Sequence, residues 1–166
     1  MDDASPRLAG SARAAAAGLV VALLAVLLTA CGLQIPSDPN GTLDHVRGGM
    51  LRVGVSVSGQ LAAEVDGRFR GSEVDLVVGF ARAQGATVEW TAGSEETLVT
   101  LLESGDLDVV IGGMTDQTPW SDRAGITRAY PGIPYSEGRA LVMLVPLGEN
   151  RMLSTLEEYL DGQVGR

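Results

Sequence analysis

Gly112, Gly113 and Thr115 are the residues whose types and spacing best suit binding chemistry. Paired glycines let a backbone approach a small molecule closely, and Thr115 sets a hydroxyl beside them. The chain then runs Asp116-Gln117-Thr118-Pro119-Trp120-Ser121-Asp122-Arg123. Trp120 offers a face for stacking on a ligand or for packing between elements. Asp116 and Asp122 are a carboxylate pair of the kind used for acid and base work. Other chemistries lack residues. His45 is the only histidine and Cys31 the only cysteine. A histidine-based triad or a multi-histidine metal site is therefore close to excluded, and one cysteine cannot staple the chain internally. No cofactor or metal is expected.

The elements that must position the glycine loop are legible on either side of it. Leu98, Leu101 and Leu102 have the spacing of a helix with one apolar face, and Gly105 stands where a helix end wants positive φ. Leu107-Asp108-Val109-Val110-Ile111 is short, β-branched and mostly apolar, as a strand covered on both faces should be. In open α/β sheets, small ligands bind just past the carboxyl end of such a strand. Leu51 to Val57 alternates and reads as the first strand, followed by a loop from Ser58 to Gly71. Ser72 reads as a helix N-cap with Asp75 as its partner. Val74, Val77, Val78 and Ala81 form the buried stripe of that helix, which Gly85 ends. Glu73 and Asp75 read as first-turn acids favoured by the helix dipole, with a ligand role as the alternative. Thr87 to Thr91 is a second strand, and Ser94 caps the next helix. Arg139 to Val145 reads as a strand and Leu153 to Leu160 as a short helix. The order β-α-β-α-β predicts a mostly parallel sheet flanked by helices.

The chain has 166 residues, is 45% hydrophobic and carries a formal net charge of −9 without a single lysine. That suits one domain with a packed core, and it argues against nucleic acid as a partner. Ala14 to Ala30 is a small and apolar run preceded by Arg7 and Arg13, which suits a secretory signal. Leu28-Thr29-Ala30-Cys31 follows and resembles the lipobox of bacterial lipoproteins. The resemblance implies cleavage before Cys31, lipid on its thiol, and attachment to a membrane through the acyl chains. Residues 32–48 hold Pro36, Pro39 and Gly41 with no period, as a tether does.

Leu102 to Thr115 resembles the segment "L-x-S-G-x-x-D-V-V-I-x-G-M-T" of the family 3 extracellular solute-binding proteins, the receptors of polar amino acid ABC importers. Leu51 to Val55, Gly71 to Leu76, Thr118-Pro119, Ile126 to Pro131 and Leu156 to Gly165 resemble further segments of that family. The resemblance implies a periplasmic-binding-protein-like lobe. It also implies Arg123 as a clamp on a ligand carboxylate, a role that a guanidinium fills with two parallel hydrogen bonds. Tyr130 would border the cleft. The expected division is a lipoprotein signal peptide over 1–30, a flexible tether over 31–48 and solute-binding lobe I over 49–146. Residues 147–166 would be the hinge exit and the start of a second lobe that is largely missing.

The ligand-binding set expected is thus Gly113, Thr115, Trp120, Arg123 and Tyr130, with lipidation at Cys31. The expected function is the membrane-anchored solute-binding component of an ABC importer, taking an amino acid or similar small polar solute and partnered by a permease. No enzymatic reaction is expected. Its place is the cell envelope, at the outer face of the cytoplasmic membrane or in the periplasm. A lobe on its own is expected to bind weakly, with a Kd near millimolar or above (about −4 kcal/mol), because closure of two lobes desolvates a ligand. A sensory or docking lipoprotein and a truncated remnant are the alternatives. A dehydratase-like enzyme of the same fold is a third.

Overall fold

The computed structural model describes residues 37–165, so the signal peptide expected over 1–30, Cys31 and residues 32–36 lie outside the described part. In chain order the elements are α1 (Thr42–Val46), β1 (Met50–Val55), β2 (Ala63–Val65), β3 (Arg68–Arg70), α2 (Ser72–Ala83), β4 (Thr87–Ala92), α3 (Glu95–Glu103), β5 (Val109–Ile111), β6 (Ala124–Ile126), β7 (Leu144–Pro146) and α4 (Asn150–Val164). Five strands make one sheet in the order β4-β1-β5-β7-β6, while β2 and β3 form a separate hairpin. β4, β1 and β5 run parallel, with Val53 opposite both Trp90 and Val109. β7 is antiparallel to β5 and to β6, so the sheet is mixed, with its parallel half built from the β-α-β-α-β order.

Both faces of the sheet are covered. Val53, Val55, Val109 and Ile111 join Val77 and Phe80 of α2 and Met152, Leu156 and Leu160 of α4 in one cluster. Val110, Leu144 and Leu107 join Leu98, Val99 and Leu102 of α3 in the other. The alternation of β5 decides this: Val109 and Ile111 face one side, Val110 the other, and all three are buried. At the end of α3, Gly105 (φ +78°) takes the left-handed position; its N–H donates to the Leu102 carbonyl and that of Asp106 to the Leu101 carbonyl. Those bonds satisfy carbonyls that the helix would otherwise leave unpaired, and they aim the chain into β5.

Several expectations change. Residues 38–48, expected as tether, are docked. Leu43 and Val46 are buried, and the buried Glu149 carboxylate accepts from Asn40 N–H at 2.9 Å and Thr42 N–H at 3.1 Å. Residues 150–164, expected to open a second lobe, are one helix packed on α2, where Tyr159 meets Phe80 edge to face at 5.7 Å. Its Met152, Leu156 and Leu160 repeat every four residues and need an apolar partner, which α2 and the sheet supply. Ser72 is the first residue of α2 rather than its cap, and its Oγ donates to the Pro134 carbonyl at 2.7 Å. The Arg139 to Val145 run pairs as a ladder strand only from Leu144. Its earlier residues lie between two irregular segments, with Val142 N–H on the Met114 carbonyl and Met143 N–H on Thr127 Oγ1.

Candidate functional site

The carboxyl ends of β1 and β5 emerge side by side, and Ser56 N–H extends their pairing onto the Ile111 carbonyl at 2.9 Å. Past this point the two chains stay pressed together. Gly113 has φ +74°, and a Cβ there would run into Ser58 Oγ and meet Leu61 Cδ1 at 3.1 Å. A side chain is excluded by both the backbone conformation and the close approach. The Ser58–Ala62 turn closes on itself through Ser58 N–H to the Ala62 carbonyl at 2.7 Å. Its Gln60 and Leu61 carbonyls accept from Ser72 N–H and Glu73 N–H, so the start of α2 is already occupied by protein.

Glu73 is not a solvated first-turn acid. It is fully buried and turned inward, and its Oε2 accepts from Gly113 N–H at 2.7 Å while Oε1 has no hydrogen-bond partner. Burial pushes its pKa up to about 7, against the opposing pull of the Gly113 and Gly112 amides and the charge of Arg139.

Two clefts flank the glycine loop. The larger, about 430 Å³, lies between Ser58, Gly59, Gln60 and Leu61 on one side and Tyr135, Glu137 and Arg139 on the other. Tyr135 and Glu137 both hold left-handed backbone, at φ +63° and +55°. The smaller, about 190 Å³, takes in Gly113, Thr115, Glu95 and Gln117. There Thr115 Oγ1 accepts from Gln117 N–H at 3.3 Å, and Thr118 Oγ1 is buried without a partner. Among the described residues, no His, Cys, Asp and Glu side chains gather in a metal-ligating group of three.

The structure brings Gly113 and Thr115 together at this edge, and it places the other expected ligand residues elsewhere. Arg123 pairs with Glu103 at the end of α3 and lies 5.4 Å over the Trp120 ring. It lines a cleft of about 540 Å³ with Arg52, Gly105 and Leu107, at the amino ends of the strands. The arginines of that cleft are already engaged, Arg52 by Asp108 and Arg123 by Glu103. Trp120 packs against the α3 cluster and donates through Nε1 to Glu95 Oε2 at 3.2 Å, so it touches the smaller cleft only through Glu95. Tyr130 is 1% exposed, its hydroxyl 3.1 Å from both the Glu157 carbonyl and Asp161 Oδ1 of α4. It fastens α4 and borders no cleft described above.

Sequence reasoning missed Tyr135, Glu137 and Arg139 as residues of this edge, and it favoured a helix-start role for Glu73 over a ligand role. For Glu73, the signals are its place one residue after Ser72 in a helix start and its position inside the family-like segment Gly71 to Leu76. For the other three, no spacing rule links a polar loop at 135–139 to a turn at 58–61.

The profile of the bacterial extracellular solute-binding proteins, family 3, matches residues 51–143. YhdW of Escherichia coli strain K12, provisionally named an amino-acid ABC transporter-binding protein, is 28% identical over 128 residues. That match covers 72% of this chain and 36% of YhdW, so the chain spans about a third of that relative's length. Among solved structures, the arginine-bound form of domain 1 from TmArgBP matches with a TM-score of 0.62 at 20% identity, covering 72% of this chain and 97% of that one. An ancestral arginine-binding protein bound to glutamine matches with a TM-score of 0.57 at 15% identity, covering 68% and 91%. These likenesses establish the fold as that of a single periplasmic-binding-protein lobe.

Proposed function

Because the chain belongs to the bacterial extracellular solute-binding proteins, family 3, we propose that it is the membrane-anchored solute-binding component of an amino-acid ABC importer. The observation that carries the reading is the edge formed by Ser58, Gly113 and Thr115 past the carboxyl ends of β1 and β5, flanked by two open clefts. Open α/β sheets bind small ligands at that position. The solute is an amino acid or a similar small polar molecule, and its contacts include the Gly113 backbone and the Thr115 hydroxyl. The solved arginine-bound form of a lone domain 1 supports binding by a single lobe. A permease is the partner, and lipid on Cys31 holds the protein at the outer face of the cytoplasmic membrane or in the periplasm. No chemical reaction belongs to this role.

Isothermal titration of the full chain with the common L-amino acids tests the reading. At least one is expected to bind, with a Kd near millimolar or weaker (about −4 kcal/mol). Absence of binding across the panel would overturn it. Anchoring has its own test: Cys31→Ser is expected to abolish fatty-acid labelling, and labelling that survives would refute the lipid anchor.

A further inference from the structure

We infer that Asp38 and Glu149 form a proton-sharing clasp, which ties residues 37–43 to the start of α4 in mildly acidic solution and loosens as the pH rises. The inference does not depend on the solute-binding reading. Both oxygens of the buried Glu149 carboxylate are occupied, Oε1 by Asn40 N–H at 2.9 Å and Oε2 by Thr42 N–H at 3.1 Å. Asp38 Oδ2 accepts from Leu43 N–H at 2.8 Å, whereas Asp38 Oδ1 is buried and no donor among the described residues reaches it. The Asp38 carboxyl lies in hydrogen-bonding contact with that of Glu149. Two carboxyls can share such a contact only through a proton, and two ionised ones repel. The pattern of partners says which acid carries it. Each Glu149 oxygen already holds an amide, so the proton belongs on the unpartnered Oδ1 of Asp38.

The two titrations agree with that assignment. Burial, then the bond to Glu149 and its charge, raise the Asp38 pKa. Burial works to raise Glu149 as well, but the Asn40 amide, Asp38 and the Thr42 amide bring it below its ordinary value. The stabilisation from Asp38 is present below its ordinary 3.8 and is lost as pH rises through the raised value. That from Glu149 is present above its ordinary 4.5 and is lost as pH falls through the lowered value. The clasp therefore holds best between the two. The surrounding charges are committed elsewhere. On α1, Asp44 pairs with Arg151 of α4 at 2.8 Å, Arg47 adds its charge to Asp44, and His45 Nε2 lies 3.3 Å from Asp108. The Arg151 charge also reaches Asp38, but its guanidinium bonds to Asp44. Pro146, Leu147 and Gly148, which lead from β7 into Glu149, bring no charge. Leu43 and Val46 stay packed in the core, so opening of the clasp is local.

Hydrogen exchange on the full chain in detergent micelles, read as protection factors from about pH 4 to about pH 8, tests the clasp. Relative to the amides of β5, protection at Asn40, Thr42 and Leu43 should fall by roughly tenfold or more as the pH rises, the scale of a lost charged hydrogen bond. Asp38→Asn supplies the missing donor at every pH. Its profile should be flat, and at about pH 8 it should protect these amides roughly tenfold better than the parent does. Asp38→Ala should leave them weakly protected throughout. A carbon-detected titration of the Asp38 carboxyl should give a pKa above 3.8 in the parent and a lower one in Glu149→Gln, where an amide donor replaces the shared proton. An Asp38 carboxyl that titrates at or below 3.8 in the parent would overturn the proposal. So would a flat parent profile, or an Asp38→Asn chain no better protected than the parent at about pH 8.

Discussion

Glu73 Oε2 and Gly113 N–H meet at 2.7 Å across 40 residues of sequence, joining the first turn of α2 to the loop beyond β5. The carboxyl is buried and its pKa is pushed up to about 7 from an ordinary 4.5. Folding therefore favours the protonated form. The stabilisation is fully present below about pH 4.5 and is lost as pH rises through about 7. Its size is on the order of 3 kcal/mol at most. Urea unfolding at a series of pH values should show stability falling across that window, and Glu73→Gln should flatten the slope.

Gly113→Ala forces a side chain onto left-handed backbone and against Ser58 Oγ. A loss of about 1–3 kcal/mol is expected. Titration should show weaker solute binding as well, because the Ser58 turn must move. An unchanged thermal midpoint would contradict the close approach.

Asp108 is wholly buried at the opposite end of β5. It accepts from Arg52 N–H, Nε and Nη2, and it lies 3.3 Å from His45 Nε2. Replacing Arg52 by Met leaves that carboxylate with the Arg52 amide and His45. The expected loss is about 3 kcal/mol, read as a lower urea midpoint.

Glu149→Gln weakens the acceptor for the Asn40 and Thr42 amides. Hydrogen exchange at residues 40–43 should speed up by roughly tenfold or more, while β5 amides keep their protection. Equal acceleration everywhere would show that the contact supports the whole lobe.

The parallel half of the fold was legible because each element there carries its own period or cap: the alternation of β1, the Ser94 cap of α3 with its bond from Thr97 N–H, and Gly105. Residues 42–46 were not, because a five-residue helix shows no period and owes its place to Glu149, far along the chain. The destination of α4 was hidden for a related reason. Its apolar stripe announces a buried face without saying which surface covers it. At the site, Gly113 and Thr115 were found from local chemistry. Arg123 is expected from the resemblance alone, and Glu103 at the end of α3 holds its guanidinium. The acid–base loop at 137–139 becomes visible only when tertiary contacts set it beside Ser58.

The bonds from Asn40 and Thr42 to Glu149, and from Arg151 N–H to the Ser37 carbonyl at 3.1 Å, join the two ends of the described fold. During synthesis, residues 37–46 lack their bonds to Glu149 and Arg151 until α4 has left the ribosome, although Leu43 and Val46 also pack on the core that includes Leu51 of β1. Closing a loop of more than a hundred residues also costs entropy that only late contacts repay. The amino-terminal segment of the described fold therefore completes its contacts late. Until then the Asn40 and Thr42 amides exchange freely with solvent, and Glu149 covers them once α4 is in place.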